Sequence, residues 1–282
     1  MTPLPDEVDV DLGTPELRAR ISGDRLTVTI HRPEKRNAVT ADGYHGIKRA
    51  AMIVADEPDL DFLVITGSEG NFCAGGDMNA RPDGDRRWDA FTEAYDGTPF
   101  ETLQRIPKIV VCSVDGVALG GGLVMTLFAD LVIAADTARF RVPDLTRGVY
   151  EAFLASRLPQ RLGTLRANHL IYGNEWVDAT EAERLGLVGR VVPAADLMRE
   201  TDALLDRVRA TGPAARAAMK REMARALPQV DVSGYWGSIG TPEQIEAFGA
   251  FLDKREPRWP RDHDRDAFVE VTRRPAWLPP EA

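Results

Sequence analysis

Two glycine-rich segments hold the residues best suited to chemistry in this 282-residue chain. The first is Phe72-Cys73-Ala74-Gly75-Gly76-Asp77, and the second is Gly116-Val117-Ala118-Leu119-Gly120-Gly121-Gly122. Each follows a short apolar run, at 62–66 and at 108–113, and each precedes a stretch with helical patterning. Glycine lets a ligand come close to the main chain, and the first N–H groups of a helix have no partner inside it. Two such loops at the carboxyl ends of strands can aim two amides at one oxygen. Glycines that serve only tight turns and close packing are the plainer reading of either loop alone. The repetition in two equivalent settings favours the anion-holding one. Neither loop has the spacing of a dinucleotide fingerprint, and neither carries the Lys and Ser or Thr of a P-loop.

The elements that must position these loops are legible on either side. Leu26-Thr27-Val28-Thr29-Ile30 alternates apolar and polar residues after the turn residues Ser22-Gly23-Asp24, so 17–31 reads as a β-hairpin. Residues 42–55 have helical patterning. The runs 62–66, 108–113 and 131–134 are nearly all apolar, as expected of parallel strands covered on both faces. Helical stretches around 86–105 and 121–128 separate them, and this order predicts an α/β fold. After residue 150 the pattern becomes helical, at 151–161, 164–172, 178–185, 195–210, 213–226 and 242–255, with no convincing strand beyond Val192. Thr241, Pro242 and Gln244 together form a strong helix start. Residues 1–14, acidic and rich in Pro and Asp, read as a flexible arm, and 256–282, with five of the 19 prolines, as an extended tail.

Composition narrows the function classes. The formal charge of −9 gives no global attraction to a polyanion, and no local basic stripe argues for nucleic acid. Cys73 and Cys112 are too few and too far apart for a disulfide framework, which suits a reducing compartment. His31, His45, His169 and His263 lack metal-ligand spacing, so no metal is expected. The acidic N-terminus is unlike a signal peptide, and no run reaches the roughly 18 apolar residues of a membrane span. A cytoplasmic enzyme that does not engage a membrane is the expectation.

The segments His31-Arg32-Pro33-Glu34-Lys35-Arg36-Asn37-Ala38, Gly75-Gly76-Asp77 and Ala118-Leu119-Gly120-Gly121-Gly122, in this order and spacing, resemble the enoyl-CoA hydratase/isomerase family, the crotonases. The resemblance runs from about residue 15 to Phe251-Leu252-Asp253-Lys254-Arg255. It implies a crotonase-like spiral of ββα units over 15–194 and a helical C-terminal trimerisation region over 195–255. It also implies that the amides of Gly76 and Gly121 bind a thioester oxygen. Removing an α-proton from a thioester, or attacking the β-carbon of its enoyl form, places negative charge on that oxygen, where preorganised donors stabilise it. Coenzyme A would enter as part of the substrate, with no other bound cofactor. By the same resemblance it lies near Lys35, Arg36, Ala38, Ala74, Gly75 and Gly76, while Phe251 and Lys254 complete the pocket of a neighbouring subunit in a homotrimer or hexamer. Lys35 and Arg36 read without the motif are an ordinary solvated pair. Asp77 is expected to cap the next helix.

The sequence departs from the family pattern where hydratases use two glutamates. Those positions hold Val124 and Asp144. Valine moves no proton, so Asp144 as a lone base points to an isomerase-like double-bond shift. Glu151 could assist it, although a carboxylate favoured at a helix start is the plainer reading. A turn role after Pro143 is the corresponding plain reading of Asp144. Hydrolysis, decarboxylation and carbon–carbon cleavage would use the same enolate, and a coenzyme-A-binding protein without turnover is a reading of another class. Clp-type peptidases share the general fold, but Ser113 precedes the glycine loop and no histidine matches a triad. Cys73 is expected to pack as a small apolar group. Trp88, Tyr95, Tyr235 and Trp236 are the aromatics of the loops expected to set the acyl group.

Overall fold

The computed structural model describes residues 7–77 and 99–259. They form strands β1 (Glu7–Asp9), β2 (Leu17–Ser22), β3 (Arg25–Ile30), β4 (Phe62–Gly67), β5 (Ile109–Val114), β6 (Val117–Leu119), β7 (Leu131–Ala135), β8 (Arg139–Arg141), β9 (Val177–Asp178) and β10 (Arg190–Val192). The helices are α1 (Ala41–Asp56), α2 (Phe100–Arg105), α3 (Gly121–Phe128), α4 (Ala152–Leu162), α5 (Thr164–Gly173), α6 (Ala179–Leu185), α7 (Leu197–Arg209), α8 (Pro213–Arg225), α9 (Ser233–Ser238) and α10 (Pro242–Leu252). Three short 3₁₀ turns complete them. No helix among the described residues is long and apolar enough to cross a membrane.

The chain divides into two compact units. The first contains residues up to Arg141 together with Trp176–Leu227, and the second contains Val142–Glu175 and the residues from Pro228. All ten strands belong to the first unit. Seven form a sheet in the order β1-β2-β3-β4-β5-β7-β10, and β6-β8-β9 form a smaller one. The β2–β3 hairpin pairs Leu17 with Ile30 and Ser22 with Arg25. In the seven-stranded sheet the pairings from β3 onward are parallel, with Phe62 beside Ile109 and Val111 beside Leu131. This explains the sequence pattern: Phe62, Leu63, Val64 and Ile65 are all fully buried because both faces of the strand are covered. Helix α7 closes one face by setting Leu205 against Phe62, Val64 and Val111.

Lys220 of α8 pins this side of the sheet. Its ammonium donates to the carbonyls of Leu103 (2.9 Å) and Lys108 (2.8 Å) and to the carboxylate of Asp130 (2.6 Å). Asp130 in turn accepts from the Val110 amide at 2.8 Å. Burial lowers the proton affinity of Lys220, against the pull of Asp130.

Of the segment expected as a flexible arm, Glu7–Asp9 pairs antiparallel with Arg20–Ser22, and Leu12 is buried. The helix expected around 86–105 is seen as Phe100–Arg105, the remainder lying outside the described residues, as do residues 260–282 of the expected tail. The expected C-terminal region is shared, α7 and α8 belonging to the first unit and α9 and α10 to the second. Strands β6, β8 and β9 were not expected, since two or three residues are too few to show alternation.

Candidate active site

The two glycine loops lie side by side in the first unit. The Cys73 N–H donates to the Val117 carbonyl at 2.9 Å, and the Leu119 N–H donates to the Cys73 carbonyl at 3.0 Å, forming a parallel bridge between Cys73 and Ala118. Three residues beyond this bridge each loop reaches its amide, Gly76 in one and Gly121 in the other. Gly76 is skipped by its neighbour: Val39 donates to the Gly75 carbonyl (2.9 Å) and accepts from the Asp77 amide (2.9 Å). The Gly76 N–H therefore faces away from Val39, as parallel pairing requires. Gly121 opens α3, so its N–H has no acceptor within the helix. Neither amide has a backbone acceptor among the described residues.

Gly75 makes the close approach possible. It has φ +95°, and a β-carbon there would lie 3.0 Å from the Leu119 carbonyl and 3.5 Å from the Gly121 nitrogen. Its N–H donates to the Cys73 sulfur at 3.3 Å. Burial pushes the Cys73 thiol up to about 12, so it stays a neutral packing group.

The segment expected to meet coenzyme A runs beside the first loop. Pro33–Lys35 form a 3₁₀ turn, followed by left-handed Arg36 (φ 50°) and Asn37 (φ 58°). The Ala74 N–H donates to the Arg36 carbonyl at 3.1 Å. Lys35, Arg36 and Ala38 are thereby brought to Ala74, Gly75 and Gly76, with Lys35 and Arg36 exposed. The fully buried Asn37 holds the turn. Its side chain accepts from the Arg32 amide (2.9 Å) and donates to the carbonyls of Ser68 (2.9 Å) and Asn71 (2.6 Å). Asp77 accepts from the Arg32 guanidinium at 2.9 Å, and the stretch it was expected to cap lies outside the described residues.

In the second unit two carboxyls are buried together. Asp144 begins a 3₁₀ turn through Arg147, and its Oδ2 is buried with no hydrogen-bond partner among the described residues. Glu151 is the N-cap of α4, accepting from the Phe153 amide at 3.0 Å. Burial pushes the Asp144 carboxyl up to about 6, against its own amide and the Arg147 guanidinium. Burial and the neighbouring Asp144 push Glu151 up to about 8, against the Phe153 amide. The two titrate as a linked pair across neutrality. Local position identifies the capping role of Glu151; its coupling to Asp144 is not visible in the sequence, because it arises from shared burial. In the same unit the Arg147 guanidinium stacks 4.0 Å above the ring of Phe251 on α10, while Lys254, just past that helix, is exposed with φ 53°.

The model of the enoyl-CoA hydratase/isomerase family matches residues 23–262. A probable enoyl-CoA hydratase of Mycobacterium bovis is 34% identical over 243 residues, covering 82% of this chain and 93% of that protein. The chain belongs to the enoyl-CoA hydratase/isomerase family. A carnitinyl-CoA dehydratase of Proteus mirabilis is 32% identical over 251 residues, 84% of this chain and 95% of that protein. The crystal structure of an enoyl-CoA hydratase from Mycobacterium avium subsp. paratuberculosis matches with a TM-score of 0.75 at 23% identity, covering 87% of this chain and 98% of that one. The crotonase-like α/β fold expected from the motifs is therefore the fold of the chain, and the protein is an enzyme of this family.

Within the family frame, Val124 is fully buried on α3. Ser113 is also fully buried, its hydroxyl 2.8 Å from that of Thr201, which donates to the Leu197 carbonyl. That chain of hydroxyls is internal packing and gives Ser113 no base to activate it. Trp88 and Tyr95 lie outside the described residues, and Tyr235 and Trp236 fall in α9.

Proposed function

We propose that the enzyme moves a proton on an acyl-coenzyme A thioester through an enolate held by the amides of Gly76 and Gly121, with Asp144 as base and Glu151 as its protonated partner. Supporting this is the buried carboxyl pair of the second unit, because it combines an ionisable base with an acid that retains its proton near neutral pH. Two fixed amides suit the oxygen that gains charge, and loss of one such donor in other enzymes costs roughly 3–4 kcal/mol. Val124 supplies no proton-transfer group. One carboxyl taking a proton from one carbon and returning it to another gives an isomerase-like double-bond shift.

The carboxyl pair also favours a second reading, hydration of the enoyl thioester, in which one member activates water and the other returns the proton. In either reading Lys35 and Arg36 face the coenzyme phosphates, and main-chain groups of Ala38, Ala74 and Gly75 hold the adenine end. Phe251 and Lys254 serve a neighbouring subunit in a trimer or hexamer. The two buried cysteines, neither in a disulfide, suit a cytoplasmic setting.

The experiment is incubation of a panel of enoyl-CoA and acyl-CoA thioesters in D₂O with mass analysis. Deuterium at the α- or γ-carbon with no added water supports isomerisation, and addition of one water supports hydration. Absence of exchange, of mass change and of double-bond migration followed by NMR across the panel overturns the enolate reading.

A further inference from the structure

The glycine at position 121 is not required by backbone conformation, because Gly121 is absent from the left-handed residues and opens a regular helix. It is required by space. A β-carbon at Gly121 would collide with the hydroxyl oxygen of Tyr44, which occupies the room a side chain would take. Tyr44 stands on α1, whose N-cap Thr40 receives the Gly43 amide. Its ring is fixed edge-on to Phe100, with centroids 5.7 Å apart and planes at 70°. Phe100 is buried and packs in turn on Phe128 at 5.9 Å, so the phenol is aimed by α2 and α3. Tyr44, Gly121 and the Gly75–Gly76 loop all belong to the first unit.

We infer that Tyr44 is a substrate-contacting residue whose hydroxyl donates a hydrogen bond to the thioester oxygen alongside the Gly121 amide. This rests on the proposed enolate chemistry. A third donor aimed by rigid aromatic packing adds stabilisation where charge develops, and it does so without reorganising when the charge appears.

Tyr44→Phe removes the oxygen and keeps the ring against Phe100. Two readouts are taken: kcat and KM for α-deuterium exchange on the best thioester of the panel, and the absorbance of bound cinnamoyl-CoA, which shifts to the red when its carbonyl is polarised. The expected result is a kcat about tenfold lower or less still, KM within about threefold, a smaller red shift and an unchanged melting temperature. Wild-type kcat in Tyr44→Phe, or a full red shift despite lowered kcat, overturns the assignment of Tyr44. Wild-type protein that binds cinnamoyl-CoA with no red shift would instead overturn the two-amide reading on which it rests.

Discussion

Asp144 helps to hold the proton on Glu151, seven residues further along the chain, where the 3₁₀ turn leads to a helix start. Both carboxyls have a higher proton affinity in the folded protein than their ordinary values, and burial is the first cause for each. Groups raised in this way support folding fully below their unfolded pKa values and lose that support as pH rises through the folded ones. Stability should therefore fall between about pH 4 and pH 8. Glu151→Gln keeps an oxygen for the Phe153 amide and removes the charge. Denaturant unfolding at pH 5 and pH 8.5 should show the variant gaining on the wild type at the higher pH, on the order of a few kcal/mol. An equal pH dependence in both proteins would count against the coupling.

Asp144→Asn is isosteric and should fold with unaltered stability at pH 5, since Oδ2 makes no hydrogen bond to lose among the described residues. Exchange of the α-proton should drop by about 100-fold or more, a general base being worth roughly that much. Binding of the coenzyme moiety should persist, because Lys35, Arg36 and the loop amides are untouched. Full turnover in this variant would remove Asp144 from the mechanism.

Gly121 and Gly122 predict unequal responses to a single methyl group. A β-carbon at Gly122 would strike the main-chain carbonyl of Cys73, which cannot move without breaking the bridge to the second loop. At Gly121 the obstacle is the hydroxyl of the Tyr44 side chain, whose displacement breaks no main-chain hydrogen bond. Gly122→Ala should cost about 3 kcal/mol or more and Gly121→Ala about half of that, by thermal unfolding. The reverse order would contradict the packing.

Lys220→Met keeps the length of the side chain and removes the ammonium from Asp130, whose carboxylate still accepts from the Val110 amide. Breaking a buried pair in this way costs about 3–5 kcal/mol. Adding Asp130→Asn should restore part of the loss, and a double-mutant cycle in urea measures the coupling. Simple additivity would mean that the pin contributes nothing as a pair.

Much of this architecture could be read along the chain, because local patterns carry it. Leu26 to Ile30 alternates, Phe62 to Ile65 is continuously apolar, and Thr241 with Gln244 marks a helix start that the Gln244 amide completes by donating to the Thr241 hydroxyl at 3.2 Å. Gly76 and Gly121 could be singled out because each follows a strand and precedes a helical stretch. What could not be read depends on groups far apart in sequence. Asn37 lay inside a recognised motif, yet its task is set by the carbonyls of Ser68 and Asn71. Tyr44 carried no signal at all, since an aromatic residue on an amphipathic helix ordinarily packs, and only its juxtaposition with Gly121 distinguishes it.

The bridge between Cys73 and Ala118 makes the two glycine loops a single mechanical piece built from main-chain atoms. Amides belong to every residue type except proline, so ordinary side-chain substitution cannot delete them. The carboxyls of Asp144 and Glu151, by contrast, can each be lost or gained by a single exchange. Under the proposed function, diversification of such an enzyme is free to rewrite its proton-handling residues one at a time while the main-chain scaffold of the two loops stays fixed.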